Sequence, residues 1–191
     1  QAHPGYYSVL LKRYGILAEL TATERTAYER FTFPEGDDNH ILFDIGNRQG
    51  ESGAVSDARV ELRFDGSVEG YVVTQPEYVK KYQAGAEVPI YFSAVVDRRP
   101  AAFGTFNGEK TTPGASVAEG PGAGLYMTFD TEGDATPVTV KIGLSYTSVD
   151  NARLNRLAES RDLDNWTKIC DLPRLTALEE NGFCAPGAIV L

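Results

Sequence analysis

Val138-Thr139-Val140-Lys141-Ile142-Gly143-Leu144-Ser145-Tyr146 is the stretch on which the reading of the fold turns. Val138, Val140, Ile142, Leu144 and Tyr146 alternate with Thr139, Lys141, Gly143 and Ser145. A period of two sends successive side chains to opposite faces of a strand, here with one face apolar throughout. The same period recurs upstream. Val60, Leu62 and Phe64 alternate with Glu61 and Arg63; Leu125, Met127 and Phe129 with Tyr126, Thr128 and Asp130; Ile41, Phe43 and Ile45 with Leu42 and Asp44. Ile90, Phe92, Ala94 and Val96 form a further row, backed by Tyr91 and Val95, so that strand has two apolar faces and is expected in the middle of a sheet. Residues 7–12 and 16–23 read as two strands around a turn at Gly15, and residues 28–33 as a third, stopped by Pro34 and Gly36. The class is all-β.

Parity predicts the hairpin at Asp65-Gly66. A two-residue loop would set Phe64 opposite Ser67, core against solvent. A three-residue loop, Asp65 to Ser67, sets Phe64 opposite Val68 and Val60 opposite Val72, and register follows the buried face. Residues 46–57, 75–88 and 107–124 are polar or rich in Gly and Pro and read as loops between strands, the places that usually carry binding. One helical segment follows the last strand. Ser148 or Asp150 can cap it, and Val149, Ala152 and Leu157 fall on roughly one face. Residues 1–160 therefore read as one domain and residues 161–191 as a poorly defined helical or irregular tail.

Lys and Arg number 18 against 27 Asp and Glu in 191 residues, a formal net charge of -9. An acidic surface repels phosphate backbones and anionic lipid, which argues against nucleic acid and membrane partners and leaves neutral ligands such as sugars. No apolar run is long enough to span a membrane. The start, Gln1-Ala2-His3-Pro4, is no signal peptide and reads as a chain that begins mid-protein or after processing. Cys170 and Cys184 can pair in an oxidising compartment or stay as two free thiols.

Chemistry-bearing residues are sparse. His3 and His40 lack a second His or Cys at ligand spacing, and Asp37-Asp38-Asn39 reads as a turn rather than a calcium loop. Glycoside hydrolysis needs two carboxylates across a scissile bond, and the candidates are Glu19, Glu24, Glu29, Asp44 and Asp130. Glu19 is expected to point outward, and such residues in acidic β-proteins mostly form solvated strand faces. No catalytic or metal residue is assigned. Tyr78, Tyr82 and Tyr126 are the candidates for stacking on sugar rings, with core packing or loop anchoring as the ordinary alternative.

The order of motifs carries a resemblance. Pro4-Gly5-Tyr6-Tyr7-Ser8-Val9-Leu10-Leu11 leads into Tyr14-Gly15-Ile16-Leu17-Ala18-Glu19-Leu20-Thr21-Ala22-Thr23-Glu24-Arg25, then Arg30-Phe31-Thr32-Phe33-Pro34, and later Val140-Lys141-Ile142-Gly143-Leu144-Ser145-Tyr146-Thr147-Ser148-Val149-Asp150-Asn151-Ala152. Over residues 4–158 this resembles the N-terminal β-sandwich of glycoside hydrolase family 92, calcium-dependent exo-acting α-mannosidases. Val68-Glu69-Gly70-Tyr71 and Ile90-Tyr91-Phe92-Ser93-Ala94 sit where that family has a Gly-Tyr/Arg strand and a Tyr-Phe strand. Glu29 stands where the family has a His before Arg30. The resemblance implies an antiparallel two-sheet supersandwich of the galactose-mutarotase-like kind, with a short C-terminal helical segment. It implies a separate (α/α)₆ barrel that carries the catalytic acid, the base and the calcium, and mannose-containing glycans as ligands. It also implies an extracytoplasmic location. A sandwich lacking its earlier strands would show open edges and an apolar face, as a fragment, a degenerate gene product or a domain covered by a partner would.

Three functions compete on these residues. The first is a non-catalytic scaffold of an α-mannosidase, the second a free-standing carbohydrate-binding module using exposed aromatics. The third is a small hydrolase working through Glu24 or Glu29. Motif order favours the first.

Overall fold

The alternating stretches of the sequence lie in strands, apart from end residues such as Phe64, Ile45 and Tyr146. The computed structural model describes residues 1–48, 52–134 and 136–158. Their elements run in the order β1 (Ala2–His3), β2 (Tyr6–Leu11), β3 (Ile16–Ala22), β4 (Thr26–Thr32), β5 (Asn39–Asp44), β6 (Ala54–Leu62), β7 (Val68–Gln75), α1 (Glu77–Lys80), β8 (Val88–Val96), β9 (Ala102–Asn107), β10 (Lys110–Pro113), β11 (Val117–Glu119), β12 (Ala123–Phe129), β13 (Val138–Ser145) and α2 (Val149–Ala158). Residues 161–191, with the expected tail and with Cys170 and Cys184, lie outside the described residues.

Two antiparallel sheets form, as the periodicity predicts. The larger has nine strands in the order β1-β2-β3-β4-β13-β8-β7-β6-β11, and the smaller has four, β10-β9-β12-β5. The quoted stretch, β13, lies between β4 and β8 in the middle of the large sheet. β8 lies between β13 and β7, the central place its two apolar faces require. Facing the small sheet are Val138, Val140 and Ile142 of β13 with Phe31, Ala94 and Val68 on neighbouring strands. Phe43, Leu125, Met127 and Phe129 meet them from the small sheet. Phe31, Phe33 and Phe129 form a run of stacked rings between the layers, with successive centroids 6.3 Å apart. Such ring pairs add to the area term when offset in this way.

The β6–β7 hairpin has the expected three-residue length but not the expected register. Leu62 lies opposite Val68 and Val60 opposite Gly70, so the loop is Phe64-Asp65-Gly66. Gly66 supplies the left-handed residue at φ 83°, and its N–H donates to Arg63 O at 3.0 Å. Asp65 Oδ1 then accepts from the Ser67 N–H and hydroxyl, at 3.0 and 2.6 Å. A slip of two residues preserves the inward face of Val60, Leu62 and Val68. It moves Phe64 out of the core to a fully exposed hairpin tip.

Two other expectations change. The loop read over residues 107–124 contains β10, which extends β9, and β11, which pairs with β6 and ends the large sheet. On α2, Ala152 is buried as expected, but Leu157 is exposed and Arg156 takes the inward place. Ser148 caps this helix, its hydroxyl accepting the Asn151 N–H at 3.1 Å. The hairpin register is testable by urea unfolding. Phe64→Ser is expected to stay within about 0.5 kcal/mol of the wild type. Phe43→Ala, at a fully buried site, is expected to lose about 3–5 kcal/mol. Similar losses at both positions would contradict the observed register.

Candidate functional site

The outer face of the large sheet, away from the small one, is built around α2. The helix packs on β13, β8 and β7. Gly143 makes the close approach possible, because a β-carbon there would overlap the Ala152 carbonyl oxygen and the Arg156 N–H. Glu69 of β7 points to this face and is nearly fully buried. It accepts from Ser93 Oγ at 2.8 Å and from Arg153 Nε and Nη2 at 2.9 and 2.7 Å. Burial pushes the Glu69 carboxyl up, but the Arg153 guanidinium and the Ser93 hydroxyl outweigh it and hold the group below its usual range. Thr26 Oγ1 donates to Asn155 O at 3.1 Å, and Asn155 Nδ2 donates to Leu144 O at 2.7 Å. These contacts fix the direction in which the chain leaves the sandwich. Arg156 is buried beside them with its Nε unpartnered, and desolvation lowers its pKa.

The five candidate carboxylates do not converge. Glu19 points to the outer face of the large sheet as expected, but it is buried rather than solvated. Arg30, directly across in β4, holds it with Nε and Nη2 both at 2.8 Å, and Tyr6 Oη donates at 2.7 Å. The Arg30 hydrogen bonds keep its carboxyl below the usual range. Glu29, one residue off that register, faces the opposite side with Phe31. It is 4% exposed, between Leu20 and Val140 on flanking strands, and its Oε2 has no hydrogen-bond partner. Burial raises its carboxyl to about 7. Glu24 is exposed in the β3–β4 turn, Asp44 lies on the outer face of the small sheet, and Asp130 is exposed beyond β12. A hydrolytic pair must flank one bond from one cleft, and these groups occupy different faces of two sheets. Among the described residues no group of three or more His, Cys, Asp or Glu could hold a metal ion.

The three tyrosines are not brought together either. Tyr78 lies in α1 and Tyr82 just beyond it, both exposed, in the β7–β8 connection of the large sheet. Tyr126 is half-buried in β12 of the small sheet. Its neighbours there include His40, edge-on with centroids 6.4 Å apart. His40 is exposed at the start of β5, with Nδ1 3.0 Å from Thr128 Oγ1 and Nε2 2.9 Å from Asp38 Oδ1. Tyr126 also borders an open groove with Phe64, Arg98, Arg99 and Phe103.

The profile of the Glycosyl hydrolase family 92 N-terminal domain matches residues 1–145. This chain belongs to that family. Its structure is similar to the family GH92 α-mannosidase BT3965 from Bacteroides thetaiotaomicron, solved with mannoimidazole. Identity is 27% and the TM-score 0.71, over 82% of this chain and 20% of that one. The GH92 family glycosyl hydrolase ccman5 aligns at 27% identity and TM-score 0.65, over 81% of this chain and 21% of that one. The inverting mannosidase BT2199 from Bacteroides thetaiotaomicron VPI-5482 shares the fold at 21% identity and TM-score 0.67, over 85% of this chain and 20% of that one. The chain thus spans about one fifth of the length of these relatives. Comparison with curated protein sequences gives no match.

Sequence reasoning missed Glu69 and Arg153 in this family 92 domain, which lie 84 residues apart. The one available signal was Glu69 as the single acid in strand β7. Glu29, a candidate carboxylate in the sequence, is buried, and its burial has a consequence for stability. With a folded-state value of about 7 against 4.5, the contribution of Glu29 to stability is full below about pH 4.5. That contribution is lost as pH rises through 7, a fall of about 3 kcal/mol. Glu29→Gln is expected to flatten that fall in urea midpoints taken at pH 5 and pH 8; an unchanged pH dependence would show that Glu29 ionises freely. Arg153→Ala removes the principal partner of buried Glu69 and is expected to cost about 1–3 kcal/mol. Thermal melts showing no loss would remove the clamp from the account.

Proposed function

We propose that this chain is the non-catalytic N-terminal scaffold of an α-mannosidase-like glycoside hydrolase. It supports a separate (α/α)₆ catalytic barrel and shares in binding mannose-containing glycans. One observation carries the reading: a family 92 N-terminal domain fills residues 1–145, while its five candidate carboxylates are scattered over different faces. The clamped helix α2 supports it further, since a rigid exit is what a scaffold needs to position the next unit. On this reading the calcium of such an enzyme belongs to the barrel, and no calcium ligand is proposed among the described residues of this chain. The same reading puts the protein outside the cytoplasm, which fractionation of the source cells would check.

The test is reconstitution. The purified chain alone is expected to leave an aryl α-mannoside intact, with or without calcium. A family 92 barrel expressed without its own sandwich is expected to gain hydrolysis when this chain is added. Turnover by the chain alone would revive the small-hydrolase reading. No effect on barrels from the source genome would remove the scaffold role.

A further inference from the structure

The outer face of the small sheet carries two aromatic side chains laid across the backbone of neighbouring strands. Phe106 of β9 lies opposite Gly124 of β12, and Tyr126 of β12 lies opposite Gly104 of β9. A β-carbon on Gly124 would overlap the Phe106 ring, and one on Gly104 would overlap the end of the Tyr126 ring. Each ring therefore lies down over the partner strand's glycine instead of standing up from the sheet. The pair is related diagonally, two residues apart along the ladder, or about 7 Å at the rise of a strand. That is close to the length of one pyranose ring in a chain.

The surroundings are polar. Asp44 of β5 lies in register with Gly124 and accepts from Asn47 Nδ2 at 3.0 Å. Thr128 and His40 pair at the other end of the same face. Thr111 of β10 lies across from Phe106. No described helix or strand packs over this face, since α2 is taken up by the large sheet. The apolar area amounts to two half-buried rings and Leu42, far short of the roughly 800 Å² that each partner buries in a stable protein interface. Carboxylate at the rim and a net charge of -9 disfavour anionic ligands. Flat rings with carboxylate, amide, imidazole and hydroxyl groups around them match a neutral pyranose, whose apolar C–H face stacks while its hydroxyls hydrogen-bond at the edge.

We propose that Phe106 and Tyr126 form a glycan-binding platform for neutral pyranose chains on the outer face of the small sheet. The proposal rests on the glycoside hydrolase reading above for its biological sense, and its geometry on the side chains and register of this chain alone. It would hold the enzyme on a polymer while the barrel works at a chain end.

The experiment is native-gel retardation of the full chain in soluble α-mannan, with dextran as a second neutral polymer. The wild type is expected to be retarded by α-mannan. Tyr126→Ala and Phe106→Ala are expected to weaken retardation at least about tenfold, with Tyr82→Ala unchanged. Retardation by dextran as well would mark the site as general for neutral pyranoses and supports the proposal. Because removing a ring from above a glycine can unsettle the sheet, the wild type is also titrated with α-mannan oligosaccharides by NMR. Ring-proton shifts of Phe106 and Tyr126 are expected. Absence of retardation in the wild type, equal retardation of folded variants, or unmoved ring signals would each overturn the platform. Binding without barrel reconstitution would sink the scaffold reading alone; reconstitution without binding would sink the platform alone.

Discussion

Covering both faces of β13 is the constraint that the rest of the structure satisfies. The strand lies in the middle of nine. Its inward residues, Val138, Val140 and Ile142, are within 1% of complete burial. Each such side chain contributes about 1.5–3 kcal/mol when taken out of water. That is why the small sheet must sit over this part of the large one. The outward face carries Gly143 between Lys141 and Ser145, and it cannot bury itself. The helix that follows immediately folds back over it, with Gly143 as the gap into which the helix backbone fits. Once α2 is there, Glu69 and Ser93 beneath it are cut off from water, and Arg153 becomes their necessary partner.

The parts of this arrangement that obey a local period were legible. The strands with an apolar period, the central place of β8 and the length of the β6–β7 loop follow from alternation alone. Phe64 was not, because parity cannot distinguish registers that differ by two residues. Both put Val60, Leu62 and Val68 inward, and the choice falls to the glycine able to take the left-handed turn position. β10 was illegible because all four of its residues are exposed and carry no apolar period. On α2 the error was geometric. At 100° per residue Arg156 lies about 20° from Val149 around the helix, whereas Leu157 lies about 80° away on the side opposite Ala152. Arg156, though charged, therefore occupies the buried line.

The buried acids were illegible for a different reason. An acid's state depends on partners that sequence distance hides. Glu19 is ionised because Arg30 lies across the ladder, and Glu69 because Arg153 arrives from the helix. Glu29 has neither, and desolvation alone acts on it. Three glutamates on three strands of one sheet thus end in opposite protonation tendencies by virtue of what stands across from each. A carboxyl raised to about 7 is what a general acid requires, but proton transfer also needs reach to a substrate. Glu29 sits between Leu20 and Val140 on the face that packs toward the small sheet. Its elevated value therefore reads as a burial penalty, not as a catalytic device.

The two sheets divide the surfaces between them. The large sheet spends its inner face on the core and the middle of its outer face on α2. The small sheet gives only its inner face to the core, through Phe43, Leu125, Met127 and Phe129. Alternation then obliges β9 and β12 to present their remaining residues outward. A sheet face left to water normally carries polar side chains that stand up from it. Here Phe106 and Tyr126 occupy that face, and Gly104 and Gly124 keep the ground beneath them clear. The glycines are costly within strands, where they lose more backbone entropy than other residues and pack nothing of their own. Aromatic coverage offsets part of that cost by shielding the neighbouring backbone. It also produces two flat, half-buried surfaces set diagonally on one face, a shape that the demands of the core alone do not require.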